Sequence, residues 1–154
     1  MNIKQATTED LPRLAPLAVA LVKSQNLPFR VGGTKAVEGF TNTFLRSPKG
    51  VLFIGETDGE AKTVIGWIGA FISDYVFSDE EFCHVRAWDV HPDYRNTGLG
   101  GRLLAEVIKW SKGKGVDLIS VGVNIDSSET PELAFGKLQS AGFIELERFF
   151  VKRF

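Results

Sequence analysis

Apolar residues recur along this chain with two different spacings. In "TTEDLPRLAPLAVALVKSQ", Leu11, Leu14, Leu17, Ala18 and Leu21 share one face of a helix. Thr7 and Asp10 stand ahead of that run at the spacing of a capping box. Pro16 lies inside it and lacks the N–H a helix interior needs, so a late start or a kink is expected there. "GGTKAVEGFTNTFLRSP" repeats the helical spacing through Val37, Phe40, Phe44 and Leu45, with Pro48 beyond its end. "NIKQA" before both is a short strand candidate.

The middle of the chain changes rhythm. "VLFIGET" and "TVIGWIGAFISDY" are rich in β-branched and aromatic residues and are joined across an Asp58-Gly59 turn. "EEFCHVRAWDVHP" is a third strand of this kind, ending at Pro92. From Gly98 to Lys112 the helical spacing returns through Leu99, Leu103, Leu104, Val107 and Ile108, and Gly113 and Gly115 end it. "VDLISVGVNI" is apolar almost throughout, as expected of a strand buried on both faces. Thr130 and Pro131 then open a helix that Gly142 closes, and "FIELERFFVKRF" supplies a last strand or hairpin. The predicted order is β-α-α-β-β-β-α-β-α-β, an α/β chain with one central mixed sheet and helices on both faces.

Composition narrows the classes. The 154 residues suit one domain, 1–154, with 44% hydrophobic and 24% charged residues and a formal net charge of −1. Nothing in that balance draws the chain to nucleic acid or to an anionic membrane. No apolar run approaches the roughly 20 residues that span a bilayer, and "MNIKQATTEDL" has no apolar signal core. Cys83 is the single cysteine, which excludes an intrachain disulfide and a cysteine-based metal framework and points to a cytoplasmic setting.

The unusual feature is "VHPDYRNTGLGGRLL", where Gly98, Gly100 and Gly101 fall within four positions at the start of a helix. Glycine costs about 1 kcal/mol against alanine inside a helix. A strand, a glycine turn and a helix together aim unpaired backbone N–H groups at one point, which suits a phosphate, and Arg95 or Arg102 can add a charge. A plain tight turn would need only one glycine. Gly-x-x-x-x-Gly-Lys-Ser/Thr is nowhere in the chain, and the third glycine of Gly-x-Gly-x-x-Gly is replaced by Leu103, so neither common nucleotide loop is present.

What remains is Arg-x-x-Gly-x-Gly after a strand ending Val-x-Pro. "WDVHPDYRNTGLGGRLL" resembles the GNAT superfamily of acyl-CoA-dependent N-acyltransferases, with Arg95, Gly98 and Gly100 on the signature positions. "ETPELAFGKLQSAGF" is similar to that family's late helix, ending in Gly142 and Phe143. The resemblance implies the GNAT fold and N-acetyltransferase activity, with acetyl-CoA as cosubstrate and no metal. It implies that the backbone of Arg95, Asn96, Thr97, Gly98, Leu99, Gly100 and Gly101 cradles the diphosphate of coenzyme A. It further implies that the preceding strand parts from the next, so that the main chain of Asp89, Val90 and His91 meets the pantetheine arm.

The chemistry needs a neutral amine, a polarised thioester carbonyl and a proton for the leaving thiolate. The backbone N–H of Val90 is the candidate for the carbonyl. His84 occupies the position where many relatives carry a glutamate, and an imidazole is a candidate base or water relay; an ordinary hydrogen-bonded strand histidine is the alternative. With regular alternation, Asp89 faces away from Trp88 and His84, and Arg86 shares the His84 face. Leu138 stands where relatives often have a tyrosine acid, which leaves Ser127, Ser128, Tyr75 or water as the proton source.

Acceptor contacts are expected from Tyr75, Glu80, Glu81, Arg86 and Trp88, and the acid and aromatic residues of "SDYVFSDEEF" suit a cationic amine or equally a solvated loop. The segment from Asn26 to Lys35 is a lid or a plain connector, and the aromatic ending (Phe149, Phe150, Phe154) is core packing or a homodimer surface. The expected partner is a small-molecule or peptide amine, with no nucleic acid and no membrane. A non-catalytic acyl-CoA-binding or partner-binding domain of the same fold is the alternative that Leu138 leaves open.

Overall fold

The computed structural model describes residues 1–24, 33–74, 79–123 and 131–146. Its elements follow the expected order: β1 (Asn2–Gln5), α1 (Leu11–Ser24), α2 (Gly33–Phe40), β2 (Gly50–Glu56), β3 (Val64–Asp74), β4 (Glu81–Val90), α3 (Leu99–Gly113), β5 (Leu118–Val121) and α4 (Pro131–Ser140). The sheet order is β1-β2-β3-β4-β5. β1 to β4 pair antiparallel, and β5 joins β4 in parallel. Of the expected last strand, residues 143–146 are not in a strand and 147–154 lie outside the described residues, as do most of the Asn26–Lys35 connector and the aromatic ending.

Each face of the sheet has its own core. α3 lays Leu99, Leu103, Leu104 and Val107 over Val51, Ile68, Ala70, Cys83 and Val85. On the other face, Leu14 and Ala18 of α1 and Phe40 of α2 cover Leu52, Ile54 and Trp67. α2 continues into a wider π-type turn, Thr41–Arg46, which brings Phe44 down beside Phe40 at 5.3 Å between rings. α1 runs straight through Pro16. The acceptor that Pro16 leaves unserved is the Pro12 carbonyl, in the first turn, where both prolines are exposed and water can serve it.

Two expectations for the strands need correction. β5 spans only Leu118–Val121 and is not buried on both faces, since Leu118 is 39% exposed. Its pairing with β4 ends after four residue pairs, and Gly122 and Val123 that follow are not in a strand. β4 does not alternate regularly either. Its register against β3 slips between Gly69 and Ala70, which pair with Ala87 and Val85, leaving Arg86 as an extra, exposed residue. That is a β-bulge, and it inverts the faces of everything after it.

An ion cluster fastens the N-terminal edge. Asp10, 3% exposed, accepts from Lys4 Nζ at 2.9 Å, from the Thr7 N–H at 3.0 Å and from Arg13. Arg13 also reaches the fully buried Glu56 at 2.8 Å, so β1, α1 and β2 are linked through the Asp10–Arg13 pair. Burial alone would raise the Asp10 pKa, but the hydrogen bonds from Lys4, Thr7 and Arg13 outweigh it and hold the carboxyl at about 2. A depressed carboxylate stabilises the fold above its unfolded pKa and loses that contribution as pH falls toward the folded value. Asp10→Asn is therefore expected to reduce stability by about 2 kcal/mol at pH 6. The gap to wild type should close between about pH 4 and pH 2, as read by urea denaturation across that range.

Candidate active site

Cross-strand pairs point to the same face, so the partners of β4 reveal where each of its side chains lies. Cys83 and Val85 stand opposite Ile72 and Ala70 on the α3 face. Beyond Arg86, it is Trp88 and Val90 that join that face, while Ala87 and Asp89 turn toward α1 and α2. His84 pairs with Phe71 on the α1/α2 face. The expected grouping is thus reversed by the bulge: His84 shares its face with Asp89, and Trp88 lies on the opposite one. Arg86 is the bulged residue itself and not a regular member of the His84 face.

The same strand parts from β5 after Val85, so from Arg86 onward one edge of β4 has no partner among the described residues. The His91 N–H goes to the Ile65 carbonyl of β3 at 2.9 Å. In a strand the backbone groups of successive residues point to opposite edges. Val90 and Trp88 therefore aim their N–H and C=O groups at the open edge, and Asp89 aims its own at β3. The expectation of a continuous Asp89–His91 backbone surface is corrected accordingly. His91 has its carbonyl engaged as well, by the Tyr94 N–H at 2.8 Å.

The open edge runs into the glycine turn. Tyr94 and Arg95 donate their N–H groups to His91 and Pro92 carbonyls in a short 3-10 turn, and Arg102 donates to Gly98. Between them, the six consecutive N–H groups from Asn96 to Gly101 have no acceptor among the described residues. Gly98 has φ +81°, a left-handed conformation that favours glycine, and Asn96 at +64° is the one non-glycine residue described with positive φ. A Cβ on Gly101 would meet nothing within 4 Å, and one on Gly100 would lie 3.4 Å from the Trp88 ring, an ordinary contact. The fold therefore needs glycine at 98, whereas at 100 and 101 glycine leaves room above a row of free donors. Such a surface fits a diphosphate.

Arg95 does not simply point into the cradle. Its Nε donates to the Val90 carbonyl at 3.2 Å, tying the turn back to the end of β4. Thr97 Oγ donates to the Tyr94 carbonyl at 2.7 Å and braces the same loop.

His84 is half-buried between Phe71 and Phe82, with ring centroids 5.4 and 5.8 Å away. Its Nδ1 lies 2.7 Å from Ser120 Oγ on β5, the residue it faces in the parallel register. Burial, with a smaller effect from the charge of Arg86, holds its pKa below the ordinary imidazole value. The ring is neutral near pH 7, as a base must be. The Asp89 carboxylate has no hydrogen bond among the described residues.

Of the expected acceptor contacts, Tyr75 lies outside the described residues, as do Ser127 and Ser128. Glu81 is 2.6 Å from Lys49, so its charge is already balanced. Glu80 is exposed. Leu138 packs against the α3 core, so no proton donor stands at its position. Cys83 is fully buried on the α3 face, and burial raises its thiol pKa despite a hydrogen bond with Ser111, which excludes it as a ready nucleophile at neutral pH.

Two site residues escaped the sequence reading. Ser120 is found only through the β4–β5 register, which no local pattern encodes. Lys137 of α4 places its Nζ 3.4 Å from Asn96 Oδ1, at the cradle, from 41 residues along the chain. In sequence it reads as an ordinary cation in the last turn of a helix.

The family model described as the acetyltransferase (GNAT) family matches residues 19–136. No curated protein matches the chain. Among solved structures, one similar chain is the aminoglycoside N-acetyltransferase AAC(6')-Iy, in complex with the bisubstrate analogue CoA-S-monomethyl-acetylneamine. It is 24% identical, with 99% of this chain and 96% of that one covered and a TM-score of 0.71. Another is a predicted acetyltransferase with acetyl-CoA from Clostridium acetobutylicum, 13% identical over 99% and 95% of the two chains, TM-score 0.78. A third is the aminoglycoside 6'-N-acetyltransferase AAC(6')-IG from Acinetobacter haemolyticus, 18% identical over 100% and 99%, TM-score 0.71. At these identities the likeness is one of fold.

The glycines of the turn should separate by stability. Gly98→Ala is expected to lower it by roughly 1–2 kcal/mol, because alanine must adopt the left-handed conformation. Gly101→Ala should leave it unchanged or raise it by up to about 1 kcal/mol, since a Cβ there meets open space in a helical residue. Denaturant midpoints of the two variants measure the contrast.

Proposed function

We propose that this chain, which belongs to the acetyltransferase (GNAT) family, transfers an acetyl group from acetyl-CoA to a primary amine by direct attack in a ternary complex. The observation that carries the reading is the open edge of β4 running directly into six unpaired N–H groups. The N–H groups from Asn96 to Gly101 hold the diphosphate of the donor, and Trp88 and Val90 offer their outward backbone to its pantetheine arm. The Val90 N–H polarises the thioester carbonyl as negative charge develops on it. The buried, high-pKa thiol of Cys83 favours direct transfer over a route through an acyl-cysteine.

His84, neutral and seated on Ser120, lies six residues along β4 from Val90 and takes the proton from the acceptor amine through a chain of waters. The acceptor lies on the α1/α2 face, where the bulge brings the Asp89 carboxylate to the same side as His84. That carboxylate, and farther along β4 the Phe71 and Phe82 rings that flank His84, suit a cationic amine. Two of the structural neighbours are named as aminoglycoside acetyltransferases, which supports an amine of that general kind. No described helix is long and apolar enough to cross a membrane, and a cytoplasmic setting accords with the lone buried cysteine.

Two measurements test this. Gly100→Glu should abolish CoA binding in calorimetry while the protein stays folded, because the added carboxylate occupies and repels the anion site. Undiminished affinity would refute the cradle. His84→Ala should lower kcat by about 10²-fold with little change in the KM for acetyl-CoA. In wild type the rate should fall on acidification with a midpoint below the ordinary imidazole pKa of ~6.5, since the base works deprotonated and its folded pKa is lowered. A kcat unchanged by the substitution would remove His84 from the mechanism.

A further inference from the structure

The cradle receives a contact from a distant part of the chain. Lys137, exposed on α4, donates from Nζ to Asn96 Oδ1 at 3.4 Å, and Asn96 carries the first of the six unpaired N–H groups. The position of Lys137 is set by its neighbours. Leu138 and Phe143 pack against the α3 core. The helix then ends in a tight knot, with the Ala141 N–H on the Lys137 carbonyl at 3.1 Å and the Phe143 N–H on the Leu138 carbonyl at 3.0 Å. Gly142, at φ +88°, permits that ending. The backbone beneath Lys137 is therefore fixed, while its ammonium rests on a neutral amide oxygen by a long hydrogen bond.

An ammonium held that loosely beside free N–H donors has a better partner available when an anion arrives. Charge-assisted hydrogen bonds to phosphate are shorter and about twice as strong as a bond to a neutral oxygen. Arg95, the cation that the sequence places in the turn, is in contrast engaged with the Val90 carbonyl.

We propose that Lys137 is a phosphate-binding residue for the acyl donor, exchanging Asn96 Oδ1 for an oxygen of the diphosphate so that α4 and the glycine turn close on it from two elements. This rests on the assignment of the turn to the diphosphate of coenzyme A.

Calorimetry with CoA, dephospho-CoA and pantetheine, on wild type, Lys137→Gln and Lys137→Arg, tests the inference. Lys137→Gln should weaken CoA and dephospho-CoA alike by about 10-fold. It should leave pantetheine affinity unchanged and flatten the salt dependence of CoA binding. Lys137→Arg should stay within about 3-fold of wild type, because the charge is kept. In turnover, the KM for acetyl-CoA should rise in Lys137→Gln with kcat held. Equal affinity of wild type and Lys137→Gln for both phosphorylated ligands would overturn the proposal. So would a loss confined to CoA, which would assign the contact to the 3'-phosphate, or an equal loss for pantetheine, which would mark a merely structural role. Failure of wild type to bind CoA at all would instead refute the reading of the turn.

Discussion

A backbone N–H or C=O taken out of water must find a partner, and among the described residues a row of them at one edge of β4 has none. β4 pairs with β5 for four residues and then loses it, while its other edge stays paired to β3 on both sides of the bulge at Arg86. The strand cannot collapse to close the gap, because α3 is packed across Ile68, Trp88 and Val90 on one face. The gap therefore persists as a slot lined by main chain, and the chain leaves it through the glycine turn that continues the row of donors. On the proposed reading the binding surface is mostly backbone, which side-chain substitution alters only by obstruction.

The two ends of the sheet are stabilised differently. At the β1 edge charge meets charge: Asp10 accepts from Lys4, Thr7 and Arg13, and Arg13 also faces the buried Glu56 carboxylate. At the β4–β5 end, donors exceed acceptors. The β4 end is held by the packing of α3 beneath it. An acetyltransferase of this design holds its donor with groups that are rigid because the core behind them is rigid.

Much of this was legible before any coordinates. The glycine turn was readable because three glycines at a helix start contradict local propensity, and a local contradiction points to a ligand. The strand order followed from β-branched runs between turn signals. The face assignments of His84, Trp88 and Asp89 were not readable, because the bulge at Arg86 is decided by pairing with Gly69 and Ala70, and nothing in "CHVRAWDV" marks it. The length of β5 was misjudged for a related reason: "VDLISVGVNI" is apolar enough for a long buried strand, but a partner is needed to make one. Ser120 and Lys137 reach the site through register and helix placement, which are tertiary facts.

The extra residue at Arg86 also works as a change of reading frame within one strand. Before it, even-numbered residues look toward α1 and α2; after it, odd-numbered ones do. A chain that lost this one residue would keep every neighbouring amino acid and yet exchange two walls, turning a carboxylate into the α3 core and an indole out of it. Two relatives can therefore agree letter by letter along this strand and still show different surfaces to their acceptors. For comparisons among such chains, the presence of the bulge is a more informative character than the identity of any residue that flanks it.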